Sequence, residues 1–303
     1  ATMADELGET EYAESLRARM EVMADSWNRC FIEPETGMTV SRNVSTGALT
    51  YTNNPNNPDF GSNHYIDTMS TYAYALFYDI VSDEMTITEG ENAGMSYKDF
   101  FAKRLHEIVA DPMKSGNGKG PRPNSSFLLA SGGPYTASGL PFTMTTGFAA
   151  TPSILPALTV SGSNEAAYKM FSNTQYSTWL YPVMTGATTQ WELWDSYDRA
   201  MMWAGQSGMN SFNHFALGAS VQWVYEYQMG ITAGDDAGYQ EFVLQPSVGG
   251  NYTSLDGGYE SNYGMIKSAW TAKGNGEVNE AGETVQANEM TSYSTVVPAN
   301  TTA

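Results

Sequence analysis

The chain has 303 residues, 41% of them apolar and 13% aromatic, which is enough to bury one large core or two smaller ones and excludes global disorder. Its formal net charge is −19 with only 14 Lys and Arg, so a phosphate backbone and an anionic membrane surface are both disfavoured as partners. No run approaches the roughly 18 apolar residues of a bilayer span, and the single cysteine, Cys30, forbids a disulfide within the chain.

Residue 1 opens without a secretory leader, in the approach to a helix, so the start is expected to be internal to a longer polypeptide or to follow a cleavage; compartment is not readable there. Residues 10–31 are predicted to be an amphipathic helix, with Leu16, Met20, Met23 and Trp27 on one inward face and Cys30 as a buried packing thiol. Pro34 and Gly37 end it, and residues 38–63 read as a long loop. Helices are predicted at 66–82 and at 96–110, the second with Ser96 as N-cap. After a Pro/Gly-rich excursion at 111–141, two short helices are expected at 151–160 and 164–173, the first shortened or kinked by Pro156. Residues 174–210 read as irregular. Residues 211–229, apolar nearly all round, read as one buried helix with Gly230 as its C′ residue. The pattern then changes to short alternating runs at 239–246, 258–270 and 290–297, which read as strands.

Chemistry concentrates in Thr188-Thr189-Gln190-Trp191-Glu192-Leu193-Trp194-Asp195 and Ser211-Phe212-Asn213-His214-Phe215. A carboxylate between two indoles suits a sugar, because indole faces pack on pyranose rings while the carboxylate handles a proton. Thr188, Thr189 and the indole N–H groups are the expected donors to Glu192. A helix-capping carboxylate, or one paired with Arg199, is the structural alternative for Glu192. His214 reads equally as a core histidine, and Trp191 and Trp194 as core packing. Asp195, Asp198 and Glu226 are candidates to brace the site, and His64 and Asp67 end the long loop within possible reach of it. The three histidines, His64, His106 and His214, show no metal-ligand spacing, so no metal or cofactor is expected.

Residues 145–303 carry an ordered series of further landmarks: Thr146-Gly147-Phe148, Thr151-Pro152, Trp179-Leu180-Tyr181-Pro182, Gly186-Ala187, Trp223-Val224-Tyr225, Gly238-Tyr239, Gly249-Gly250, Tyr259-Glu260-Ser261-Asn262-Tyr263-Gly264 and Val297-Pro298-Ala299-Asn300-Thr301-Thr302. With the Glu192 and His214 motifs, this series resembles the bacterial α-L-rhamnosidases, inverting glycoside hydrolases. The resemblance implies a mainly α fold, part of an (α/α)6 barrel, followed by a small, incomplete antiparallel β-sandwich. The expected domains are 1–232, the C-terminal half of the barrel, and 233–303, the sandwich. It implies Glu192 as general base, with His214, Trp194 and Trp191 binding the sugar.

The family's general acid, a Glu in an acidic motif with Arg and Trp, has no match here. It is therefore expected from a complementary N-terminal segment or chain. A rhamnose-containing glycoside is the expected ligand, and half a barrel should associate through its apolar edge with that complementary chain or as a homo-oligomer. The competing readings are a non-catalytic sugar-binding or structural subunit and another (α/α)6-barrel glycosidase.

Overall fold

A computed structural model describes residues 1–50, 64–115, 140–197, 211–234, 238–273 and 288–303. The chain divides into two compact units, residues 23–219 and residues 1–22 with 220–303. Helices dominate the first and antiparallel strands the second. Arg199 and Asp198, named above as neighbours of Glu192, lie outside the described residues.

Two helices open the chain, α1 (Thr2–Glu6) and α2 (Thr10–Phe31). The second has the bounds that its periodicity predicts, but the inward face does not. Met20 and Met23 are largely exposed, and so is Cys30, contrary to the expected packing thiol. The residues of α2 that are buried are Ala13 and Asn28. Asn28 is buried because its amide has backbone partners: Nδ2 donates to the carbonyls of Ala24 and Ile80, each at 2.7 Å, and Oδ1 accepts from Ser82 N–H at 2.9 Å.

The core of the 23–219 unit is built on α3 (Met69–Phe77), which packs against α4 (Tyr97–Ala110) and α5 (Thr151–Val160); α5 in turn packs on α6 (Asn164–Phe171). The α3 helix is shorter than its apolar run predicts. Thr68 caps it by accepting from Thr71 N–H, and Asp79 at φ +51 turns the chain away at its end. Ser96 caps α4 as expected, its hydroxyl accepting from Asp99 N–H at 3.0 Å. Tyr72 of α3 meets Phe101 of α4 edge to face, with ring centres 4.9 Å apart, a favoured aromatic geometry. Pro156 sits inside α5 without shortening it. A further short helix, α7 (Leu180–Met184), crosses the stretch predicted to be irregular.

The single helix predicted at 211–229 is not formed. Ser211 to His214 are non-helical, and His214 is extended at φ −123°, ψ 126°. Two short turns follow, α8 (Phe215–Gly218) and α9 (Ser220–Trp223), and the run ends in a π turn at Val224–Gln228. The apolar pattern did not report burial all round, since Phe215 and Val221 are exposed. The reason lies in hydrogen bonding: the amides of Ser211 and His214 are taken by another segment, described below, so no helix nucleates before Phe215.

In the second unit β1 (Ile231–Ala233) pairs antiparallel with β2 (Phe242–Leu244). A three-stranded antiparallel sheet follows in the order β3 (Ser254–Ser261), β4 (Gly264–Ala272), β5 (Met290–Val296). The run predicted as one strand at 258–270 is therefore the inner part of a hairpin. Asn262 and Tyr263 form its two-residue turn, and Gly264 at φ +117 leaves it. Burial alternates along β4, with Ile266, Ser268, Trp270 and Ala272 inward. Two of these close the end of the π turn: the Trp270 indole N–H donates to Gln228 O at 2.8 Å, and the Ser268 hydroxyl to Met229 O. Carbonyls that a helix end leaves open are thus satisfied by the sheet. Met229, Ile231, Phe242 and Ile266 form the apolar cluster behind them.

Gly230 makes this junction. It has φ +71, as a C′ residue should, and a Cβ there would lie 2.1 Å from Pro246 N and 2.2 Å from Gln245 C. Both neighbours are backbone, so they cannot rotate aside. Gly230→Ala is expected to lower stability by more than about 2 kcal/mol. The check is the urea midpoint, and a midpoint unchanged within error would refute the assignment.

Candidate active site

The segment that leaves α7 turns at Gly186 (φ +93) and then runs beside residues 211–214. Their hydrogen bonds form a short irregular ladder. Glu192 N–H donates to Ser211 O at 2.8 Å, and His214 N–H donates to Gln190 O at 2.8 Å. The Thr189 hydroxyl donates to Phe212 O. Ser211 N–H donates at 2.7 Å to a side-chain acceptor, Glu192 Oε2. Glu192 and His214, 22 positions apart in the chain, are thereby fixed on the two sides of one ladder.

Glu192 is 9% exposed. A nearly buried carboxylate requires donors, and the Ser211 amide supplies a charge-assisted one. The donors expected from the sequence, Thr188, Thr189 and the indoles, do not fill this role among the described residues; Thr189 spends its hydroxyl on Phe212. Oε1 of Glu192 has no hydrogen-bond partner among the described residues. The C-terminal side of the motif is held by Ser196, whose Oγ accepts from Leu193 N–H and donates to Leu193 O, both at 3.0 Å.

His214 is half-buried and caps α8: its Nδ1 accepts from Ala216 N–H at 3.3 Å. A ring nitrogen that accepts an N–H carries no proton, so the neutral imidazole holds its proton on Nε2. Nε2 has no partner among the described residues. The ring stacks on Phe148, with centres 4.9 Å apart at 30°, and on Phe215, 5.3 Å apart at 10°. Phe148 is placed by a turn closed on Gly147 O by the amides of Ala150 and Thr151, each at 3.1 Å. Sequence reasoning found neither Phe148 nor Ser211 as a neighbour of these side chains. The Thr146-Gly147-Phe148 landmark was the available signal for Phe148; nothing marked Ser211.

Trp191 and Trp194 are buried. Trp191 lies edge-on to Phe212, centres 5.6 Å apart, and stacks on Tyr197 at 6.4 Å. Trp194 lies edge-on to Trp179 at 6.0 Å, and the Trp179 indole N–H donates to Leu217 O at 2.7 Å. The two indoles therefore anchor the motif in the core on either side of Glu192 in sequence.

The other candidates go elsewhere. Asp67 is fully buried and takes a two-pronged contact from Arg104, with Nε at 2.9 Å and Nη2 at 2.7 Å. His64 Nε2 lies 3.4 Å from Glu33 Oε1. Burial works against the charge of Glu33, but the hydroxyls of Tyr65 and Thr36, then His64, outweigh it and hold the carboxyl below its ordinary range. Burial and the same carboxylate push the Tyr65 phenol up to about 12. Glu226 accepts from Gln222 Nε2 at 2.9 Å, a helical i, i+4 contact. A groove of about 380 Å³ also opens in the 23–219 unit, lined in part by Glu35, Glu91, Phe100, Lys103 and Glu107, and it includes neither Glu192 nor His214.

Residues 139–228 match the bacterial alpha-L-rhamnosidase 6 hairpin glycosidase domain, and residues 230–281 match the bacterial alpha-L-rhamnosidase C-terminal domain. An alpha-L-rhamnosidase of Streptomyces avermitilis is 37% identical over 135 residues, which cover 45% of this chain and 13% of that protein. One from Formosa agariphila is 36% identical over 158 residues, covering 52% of this chain and 15% of that protein. The crystal structure of the Streptomyces avermitilis alpha-L-rhamnosidase complexed with L-rhamnose is similar with a TM-score of 0.56 and 25% identity, over 89% of this chain and 20% of that one. The native Aspergillus terreus enzyme shares the fold with a TM-score of 0.59 at 20% identity, over 97% of this chain and 28% of that one. The chain thus spans about one seventh of the length of the curated relatives it matches.

Proposed function

From the premise that residues 139–281 belong to the bacterial α-L-rhamnosidase family, we propose that this chain carries the base side of a glycoside hydrolase site that cleaves terminal α-L-rhamnosyl bonds with inversion. Glu192 is the general base in this reading. It takes a proton from a water whose oxygen attacks the anomeric carbon from the face opposite the leaving group. The glycosidic C–O bond breaks, and a general acid protonates the departing oxygen. Inversion needs the two carboxyls roughly 6.5–9.5 Å apart, so that a water fits between base and sugar. The acid is contributed by a complementary segment or chain.

The observation that carries the proposal is the ladder. It leaves one oxygen of Glu192 anchored on Ser211 N–H and the other without a partner among the described residues, while His214 on the facing segment has Nε2–H free of any partner among them. An acceptor and a donor held on adjacent rigid backbone suit a water and a sugar hydroxyl. The buried indoles Trp191 and Trp194 enter as the apolar wall that keeps the carboxylate partly desolvated. The helices α3 to α6 enter as part of an (α/α)6 barrel, with the helical domain running to about residue 232 and the β domain following it. The apolar stripe left exposed on α2 by Met20 and Met23 supports association with a complementary segment.

The test is proton NMR of an aryl α-L-rhamnoside during hydrolysis by the full-length protein. β-L-Rhamnose is expected as the first product, before mutarotation. Release of the α-anomer first would refute inversion and with it the base role. Because Glu192 is already committed through one oxygen, a non-catalytic rhamnose-binding subunit is the second reading; binding of L-rhamnose with no turnover would favour it.

A further inference from the structure

We propose that Phe148 is a positioning residue for the sugar site, its ring setting the plane of the His214 imidazole and with it the direction in which Nε2–H is offered. The inference rests on the functional reading above, in which that N–H meets a sugar hydroxyl, and it gives a role to a residue outside the ladder.

The imidazole needs such a support. Its one hydrogen bond among the described residues is the one that Nδ1 accepts from Ala216 N–H, and at 3.3 Å that bond is long for an N–H donor. The torsion that turns a histidine ring about Cβ–Cγ has a broad profile, so one long bond sets the plane loosely. A donor swung out of line loses most of its bond, because hydrogen bonds weaken steeply as they bend.

Phe148 supplies what that bond lacks, because it is tied to a different part of the core. Gly147 O accepts three bonds, from the amides of Ala150 and Thr151 at 3.1 Å and from the Thr151 hydroxyl at 3.0 Å. With its proton committed there, Thr151 Oγ1 accepts from the Thr146 hydroxyl at 3.0 Å. Thr146 and Thr151 are both buried. The turn that presents Phe148 is thereby bound to the first turn of α5, the helix on which α8 packs. Two segments thus converge on one ring: His214 heads α8, and Phe148 precedes α5. The stack between them, with centres 4.9 Å apart and planes at 30°, falls among the favoured aromatic geometries. Phe215 also lies beside the imidazole, but it is the next residue in the chain and 87% exposed, so it brings no separate anchorage.

The test is a double-mutant cycle on the full-length protein, read by calorimetric titration with methyl 1-thio-α-L-rhamnoside, which resists hydrolysis. Phe148→Leu stays apolar and removes the ring face, and it is expected to weaken binding about five-fold, within the range of one aromatic pair. Phe148→Tyr keeps the face and should bind nearly as tightly as the unaltered protein. His214→Ala should weaken binding by itself, and adding Phe148→Leu to it should then change nothing further, since the support has no ring left to aim. Phe148 is 40% exposed, so leucine fits there, and a general loosening of the fold would weaken both backgrounds alike. An equal loss from Phe148→Leu with and without the imidazole would overturn this inference alone, because Phe148 would then act on the ligand or on the fold directly. An affinity unchanged by Phe148→Leu would overturn it too. Failure of the unaltered protein to bind the ligand would overturn the rhamnoside reading, and this inference would fall with it.

Discussion

Glu192→Gln is expected to lower the turnover of an aryl α-L-rhamnoside by the full-length protein by about 10²–10⁴-fold, the usual contribution of a positioned general base. The reasoning separates the two oxygens. The Ser211 amide needs only an acceptor, and a glutamine carbonyl can stand where Oε2 now stands, so the ladder and the cap at His214 survive. What disappears is the group able to take a proton from water. The effect should therefore fall on kcat with KM nearly unchanged, the mark of an interaction made only in the transition state. Glu192→Ala should lose activity as well, but it also strips the Ser211 amide of its acceptor and should cost about 1–3 kcal/mol of stability. A glutamine variant with kcat within about three-fold of the unaltered protein would remove Glu192 from the chemistry, whatever its burial.

Parts of the fold were legible in the sequence because they are short and local. The capping of α4 by Ser96, the bounds of α2 and α5, and the left-handed Gly230 all follow from side-chain chemistry within a few residues. The two motifs could be located, but their joining could not. Nothing in Ser211-Phe212-Asn213-His214 announces that its amides are claimed by residues 190 and 192, since a cross-segment ladder leaves no periodicity. An apolar run without that knowledge reads as helix, and the run from 211 was read so. The same limit explains α2: spacing shows that Met20 and Met23 share a face with Trp27, but not whether anything covers that face. Conversely, Asp67 looked like a loop-end candidate for the site. Its burial with Arg104 depends on a residue 37 positions away and on the turn of α4 that presents it.

That buried pair gives the second large expectation. The Asp67 side chain is wholly inaccessible, and its carboxylate accepts from Arg104 twice and from the Tyr72 hydroxyl at 2.8 Å. Burial, and then the charge and acceptor of Asp67, push the Tyr72 phenol well above its ordinary value, so it stays a donor. Burial works against the Arg104 charge, and Asp67 and Glu107 outweigh it, raising that group further above its already high ordinary value. Arg104 also donates to Glu107 at 2.9 Å and to Lys114 O at 2.6 Å, which ties α4 to the turn that follows it. Removing the carboxylate leaves a largely buried guanidinium with only the partly exposed Glu107 as its counter-charge, and breaking such a pair from one side costs up to about 3–5 kcal/mol. Asp67→Asn should therefore shift the denaturation midpoint more than Gly230→Ala does, and it should do so without the Glu192 ladder being touched. The double change Asp67→Leu with Arg104→Met separates the causes. If the cost is the buried charge left under-compensated, the double variant should be more stable than Asp67→Asn alone. If it is no more stable, the network holds the fold through its hydrogen bonds to Tyr72 and Lys114, and the charge account is wrong.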